Sequence, residues 1–139
     1  ISDQWSAVFK PGSHGTTFGG SPLACAAAHA VLDVMENNGL IEAAREKGLV
    51  LHAGLSRLVE RFPTMLEEVR GRGLMIALAM ENDPAELIAS LREKGLLVVG
   101  AAGNAIRFLP PLNVDDTEIE QALKITEDAL ASFQTKKSE

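Results

Sequence analysis

Apolar residues recur at helical spacing along several stretches of the chain and crowd into short runs along others. Ser21-Pro22 sets a capping residue before a proline suited to the first helical position. Leu23, Ala24, Ala27, Ala28, Val31, Val34 and Met35 then repeat every third or fourth place. This predicts a helix to about Asn37, stopped by Asn38-Gly39. Ile41, Ala44, Leu51, Leu55, Leu58 and Val59 share one face of a second helix, from about Leu40 until Pro63 ends it after Phe62. Within it, Gly48 and Gly54 either bend the helix or permit close packing.

Gly71-Arg72-Gly73 is followed by the apolar run Leu74 to Met80, which predicts a buried strand. Asp83-Pro84-Ala85-Glu86 is a helix-start pattern and predicts a helix to about Lys94, closed by Gly95. Leu96 to Val99 and Ala105 to Leu109 read as two short strands, the second ended by Pro110-Pro111. Asp115 and Glu118 form a capping pair that opens a last helix to about Phe133. The expected class is α+β, a small sheet of about three strands covered by helices. Residues 1–20 read as a loop, 21–133 as the folded domain and 134–139 as a flexible tail.

A length of 139 residues argues for one domain, and 46% hydrophobic residues are enough to build a core. The net charge of −6, with acids scattered along helix-like stretches, excludes the basic stripe of a nucleic-acid binder. No apolar run is long enough to span a membrane, and no secretory signal opens the chain. A lone cysteine, Cys25, sits between alanines and reads as a small packing position rather than a reactive thiol. A reducing cytoplasm fits these features. Aromatic residues amount to only 4%, so backbones are expected to approach closely rather than through large rings.

Candidate chemistry gathers in the stretch from His14 to Pro22. Thr16 and Thr17, with the amides of Gly15, Gly19 and Gly20, precede a helix N-terminus, where amide hydrogens and the helix dipole favour an anion such as phosphate. The spacing matches neither the P-loop nor the dinucleotide fingerprint, so an ordinary helix-entry loop is the competing reading. His14 offers a general base, but no second ligand stands at metal spacing. His29 and His52 lie within helices as packing or surface residues. Arg107 interrupts the apolar Ile106 to Leu112 segment, where a charge needs a partner: an internal acid or a substrate carboxylate. Strand alternation sends it to the face opposite Ile106 and Phe108.

The segments HGTTFGGSPLACAAA and AIRFLPPLN, with VRGRGLMIAL between them, resemble the C-terminal part of the class III, or ornithine-type, aminotransferases. Within that family they look most like the bacterial acetylornithine group. Ser21 stands where the family more often has Asn, and both are good N-caps. The resemblance implies a fold type I transaminase using pyridoxal 5'-phosphate, a cytoplasmic homodimer, acting on a small amino acid and a 2-oxo acid. N-acetylornithine as donor, 2-oxoglutarate as acceptor and a place in arginine biosynthesis are carried over with it. It further implies that residues 21–133 are the C-terminal small domain and that 1–20 continue from a large domain upstream of Ile1. By the family's pattern Thr17 bonds the cofactor phosphate held by the other subunit, Thr16 lies beside it facing substrate, and Arg107 clamps the substrate α-carboxylate. The Schiff-base lysine is expected upstream of Ile1, so no catalytic residue is assigned within this chain.

The lysines agree with that expectation. Lys47, Lys94 and Lys124 occupy polar helix positions, Lys136 and Lys137 fall in the tail, and Lys10 precedes Pro11 in the loop. None has the desolvated setting that lowers a lysine pKa for Schiff-base work. The chain alone is therefore expected to be inactive. Two other readings compete: a non-catalytic anion-binding or interaction module, and a structural domain whose alanine-rich first helix packs on a larger partner.

Overall fold

The computed structural model describes Val8, Lys10, Gly12, Ser13 and residues 15–136, the last by its backbone only. The expectations placed on His14, on Lys137 and on the Lys136 side chain lie outside the described residues. The chain divides into two compact units, Ile1–Asn38 and Gly39–Glu139.

The first unit contains helix α1, Pro22–Asn37. It begins where the sequence predicts, because Ser21 Oγ accepts a bond from the Ala24 amide at 3.3 Å and Pro22 occupies the first turn. No residue of α1 is buried: Leu23, Val31 and Leu32 are all exposed. Cys25 is exposed too. Its place within a helix is as read, but no described residue of its unit is buried, so the expected packing is not seen among the described residues.

The second unit runs α2 (Leu40–Arg61), β1 (Leu66–Arg72), β2 (Met75–Met80), α3 (Ala85–Glu93), β3 (Val99–Ala101), β4 (Ala105–Phe108) and α4 (Asp116–Lys136). The strands form one antiparallel sheet in the order β1-β2-β4-β3. Four strands stand where about three are expected. The addition is β1, whose sequence LEEVRGR is mostly exposed and whose pairing is irregular between Leu66 and Val69. An edge strand with such an irregularity carries no clean alternation for a sequence to reveal. β1 and β2 meet through a two-residue loop, Gly73-Leu74, since Arg72 pairs with Met75. Gly73 takes φ +56°, the left-handed conformation a tight hairpin asks of glycine.

β3 lies further along than Leu96 to Val99, because the Leu96 amide bonds back to the Leu91 carbonyl and closes α3. The Asp115 pair behaves as read: Glu118 N donates to Asp115 Oδ1 at 2.8 Å and Asp115 N to Glu118 Oε2 at 2.9 Å. The helix they open continues to Lys136, three residues beyond Phe133. In the first turn of α2, Arg45 bonds the Glu42 carboxylate and holds it below its ordinary pKa.

Packing follows the apolar spacing. Leu51, Leu55 and Leu58 of α2 join Ile76 and Leu78 of β2, Ile106 and Phe108 of β4, Leu87 and Leu91 of α3, and Ile119 and Leu130 of α4 in one buried cluster. Of the α2 face read from sequence, Ile41 is exposed at 69%. The helix is continuous, so Gly48 and Gly54 serve close packing: a Cβ at Gly48 would run into the Gly73 backbone, and one at Gly54 into Leu123. The helices thus cover the sheet face bearing Ile76, Leu78, Ile106 and Phe108. The opposite face is left for Ala77 and Arg107.

Candidate active-site segments

Thr16 and Thr17 stand in one turn ahead of α1. The Gly19 amide donates to Thr16 Oγ1 at 3.2 Å, and the Ser21 amide to the Phe18 carbonyl at 3.4 Å. Thr16 therefore shapes the turn as an acceptor, which leaves its hydroxyl proton free to donate elsewhere. Thr17 is exposed, and its side chain makes no hydrogen bond among the described residues. The first turn of α1 holds no acidic residue to compete with an anion at its N-terminus. The free Thr17 hydroxyl, the glycine amides other than that of Gly19, and a helix start without an acidic residue make a donor set that suits a phosphate dianion.

Arg107 belongs to the second unit and is set by β4. Its neighbours Ile106 and Phe108 point into the core with 0% and 4% of their surface exposed. Alternation turns Arg107 to the other face, where it is half-buried. Its partners across the strands are Ala77 on β2 and Val99 on β3. Among the described residues it makes no ion pair and no side-chain hydrogen bond. Of the two partners read for it from sequence, the internal acid is thus not found among them, and the fork faces outward over a shallow depression of about 260 Å³. Small residues, Gly71, Ala77, Ala101, Ala102 and Ala105, keep that depression open.

Arg70 lines the same depression and was not singled out by sequence. The only signal that could have found it was β1 itself, hidden by its polar composition. Larger grooves lie elsewhere on this unit, one of about 460 Å³ beside Met65, Met80 and Leu87 and one of about 320 Å³ beside Phe108, Leu109 and Pro111; neither is lined by Arg107.

The described lysines do not gather at these segments. Lys10 and Lys94 are exposed, Lys124 pairs with Asp128 at 3.4 Å, and Lys47 donates to the Val114 carbonyl. His29 is exposed and His52 half-buried, its carbonyl accepting from Ser56 at 2.9 Å. Among the described residues no cluster of His, Cys, Asp and Glu could hold a metal ion, and no helix is long and apolar enough to cross a membrane.

Residues 2–130 match the family model described as aminotransferase class-III. Acetylornithine aminotransferase of Gloeobacter violaceus is 50% identical over 126 residues, covering 90% of this chain and 32% of that relative. The solved acetylornithine aminotransferase of Elizabethkingia anophelis superposes with a TM-score of 0.78 at 37% identity, over 91% of this chain and 32% of that one. An ornithine aminotransferase of Toxoplasma gondii, with PLP partially occupying its active site, gives 0.80 at 34% identity over 96% of this chain and 32% of its own. The chain spans about a third of the length of the curated relatives it matches.

Proposed function

Because the chain belongs to the class III aminotransferase family, we propose that it is the C-terminal part of a pyridoxal-phosphate transaminase that moves an amino group from N-acetylornithine to 2-oxoglutarate. The observation that carries this reading is Arg107: half-buried, paired with no acid among the described residues, and set on a strand over an open depression. The fork is matched to a planar carboxylate, which every amino acid and 2-oxo acid substrate presents. For the 2-oxo acid and the amino acid formed from it, holding that carboxylate fixes the reacting α-carbon; in N-acetylornithine the free amine is the δ-amine, so there the fork anchors the end of the substrate remote from the reacting carbon.

Pyridoxal phosphate, when bound, supplies the electron sink for the transfer. In this chain Thr17 donates its free hydroxyl to the phosphate, and the turn amides add to it. Thr16, beside it, faces substrate while bracing the turn through the Gly19 amide. We place the lysine that binds the cofactor in the larger part of the enzyme, together with the ring contacts, and the phosphate bonded by Thr17 in the partner subunit of a homodimer. We place this activity in arginine biosynthesis and the enzyme in the cytoplasm.

The experiment is direct. The 139-residue chain alone should show no turnover of N-acetylornithine with 2-oxoglutarate above a protein-free control, and the full-length enzyme that contains it should show it with pyridoxal phosphate. Turnover by the isolated chain would refute the division of labour; full-length enzyme that bound pyridoxal phosphate but ignored both substrates would refute the choice of reaction.

A further inference from the structure

Arg107 has a companion. Arg70 pairs with Ala77, Ala77 with Arg107, and Arg107 with Val99, so these residues form one row across the sheet. Residues paired across strands share a face. In that row only the methyl group of Ala77 separates the two arginines, and both line the same depression. Arg70 reaches out towards the β3–β4 loop: its Nη2 lies 3.6 Å from where a Cβ on Gly103 would stand.

The charge at this place runs against the charge of the chain. The whole sequence carries −6, yet the only carboxylate paired with either arginine among the described residues is that of Glu68, whose Oε1 lies 3.2 Å from Arg70 Nε as an ion pair. That pair is open to water, with 48% of the Arg70 side chain and 60% of the Glu68 side chain exposed. An exposed partner screens a guanidinium only in part. The depression therefore keeps a positive potential contributed by two strands.

A potential acts on the net charge of what approaches it. N-acetylornithine as a zwitterion has none, whereas a dicarboxylic 2-oxo acid carries two negative charges. Arg107 can hold one carboxylate of either, so it does not by itself distinguish donor from acceptor. We propose that Arg70 is a positioning and specificity residue of the acid subsite: its charge, partly masked by Glu68, draws the doubly negative 2-oxo acid towards Arg107 and favours it over the zwitterionic amino donor. This rests on the reading of Arg107 as the carboxylate clamp.

The test uses the full-length enzyme and separates KM from kcat for each substrate. Arg70→Gln should raise KM for the dicarboxylic 2-oxo acid about threefold or more at roughly 20 mM salt, and the effect should fall below about 1.5-fold near 0.5 M, where charges are screened within a few ångströms. The amino donor's KM should change far less, kcat should not fall in proportion, and Arg70→Lys, which keeps the charge, should restore the 2-oxo acid KM. Glu68→Gln should act in the opposite direction and lower that KM. Equal effects on donor and acceptor, indifference to salt, or failure of Arg70→Lys to restore would overturn the proposal and leave Arg70 a structural residue. Arg107→Lys is run beside these variants: if it discriminates acids from amines while Arg70→Gln does nothing, only this inference fails; if it does not, the clamp reading fails with it.

Discussion

Gly48 of α2 lies against Gly73 at the β1–β2 hairpin so closely that a Cβ on Gly48 would come within 2.5 Å of the Gly73 carbonyl carbon. What it would strike is backbone, which cannot swing away as a side chain can. The hairpin that Gly73 turns is also the one that presents Arg70 and Ala77 beside Arg107. Helix packing and site geometry are therefore joined at this contact.

Gly48→Ala should accordingly destabilise the second unit, although alanine is the better helix former by about 1 kcal/mol. Overpacking that forces backbone shifts costs about 1 to 3 kcal/mol, enough to reverse the propensity gain. Chemical denaturation compares the variant with the parent chain. An increase in stability would show that the hairpin is free to move away from α2.

The reciprocal bonds between Asp115 and Glu118 allow a cleaner test of local structure. Asp115→Ala removes the acceptor for the Glu118 amide and should cost about 0.5 to 2 kcal/mol, while Asp115→Asn, which caps nearly as well, should cost much less. Equal losses in the two variants would mean that charge near the helix start, rather than the cap, provides the stabilisation.

Thr17 is exposed, and its hydroxyl makes no hydrogen bond among the described residues. In the full-length enzyme Thr17→Val keeps the shape and removes the donor, so cofactor binding should weaken by about 1.5 to 3 kcal/mol, the range for a hydrogen bond to a charged group. Equilibrium dialysis against pyridoxal phosphate measures it. Hybrid dimers sharpen the assignment: Thr17→Val subunits mixed with subunits lacking the cofactor lysine should contain one site with both groups intact. Active hybrids would place Thr17 in the neighbour's site; inactive ones would place it in its own.

The helices of this fold are legible because their signals are local. Ser21-Pro22, Asn38-Gly39, Pro63 and the Asp115–Glu118 pair each fix a helix end through groups a few residues apart, and the structure shows those ends in place. The sheet is less legible because pairing is not local. β1 is polar, irregular and at an edge, so its seven residues read as a connection to β2. Missing β1 also hid Arg70, whose meaning comes from its partner two strands away. Arg107 stood out for the opposite reason: a single charge between Ile106 and Phe108 is conspicuous in one strand alone. The open apolar positions of α1 show the remaining limit, since helical spacing reports that a face is apolar and not what it covers.

The central claim is that Arg107 holds the carboxylate of the substrate, and Arg107→Lys in the full-length enzyme tests it most directly. A point charge on a flexible stem cannot keep the carboxylate in one plane. For amino acid substrates kcat/KM should fall at least about tenfold, equivalent to roughly 1.4 kcal/mol of transition-state stabilisation. The loss should shrink markedly for an amine that lacks the carboxylate, because it offers nothing for the fork to hold. Equal losses for acid and amine would contradict the account and make Arg107 a structural residue of the sheet.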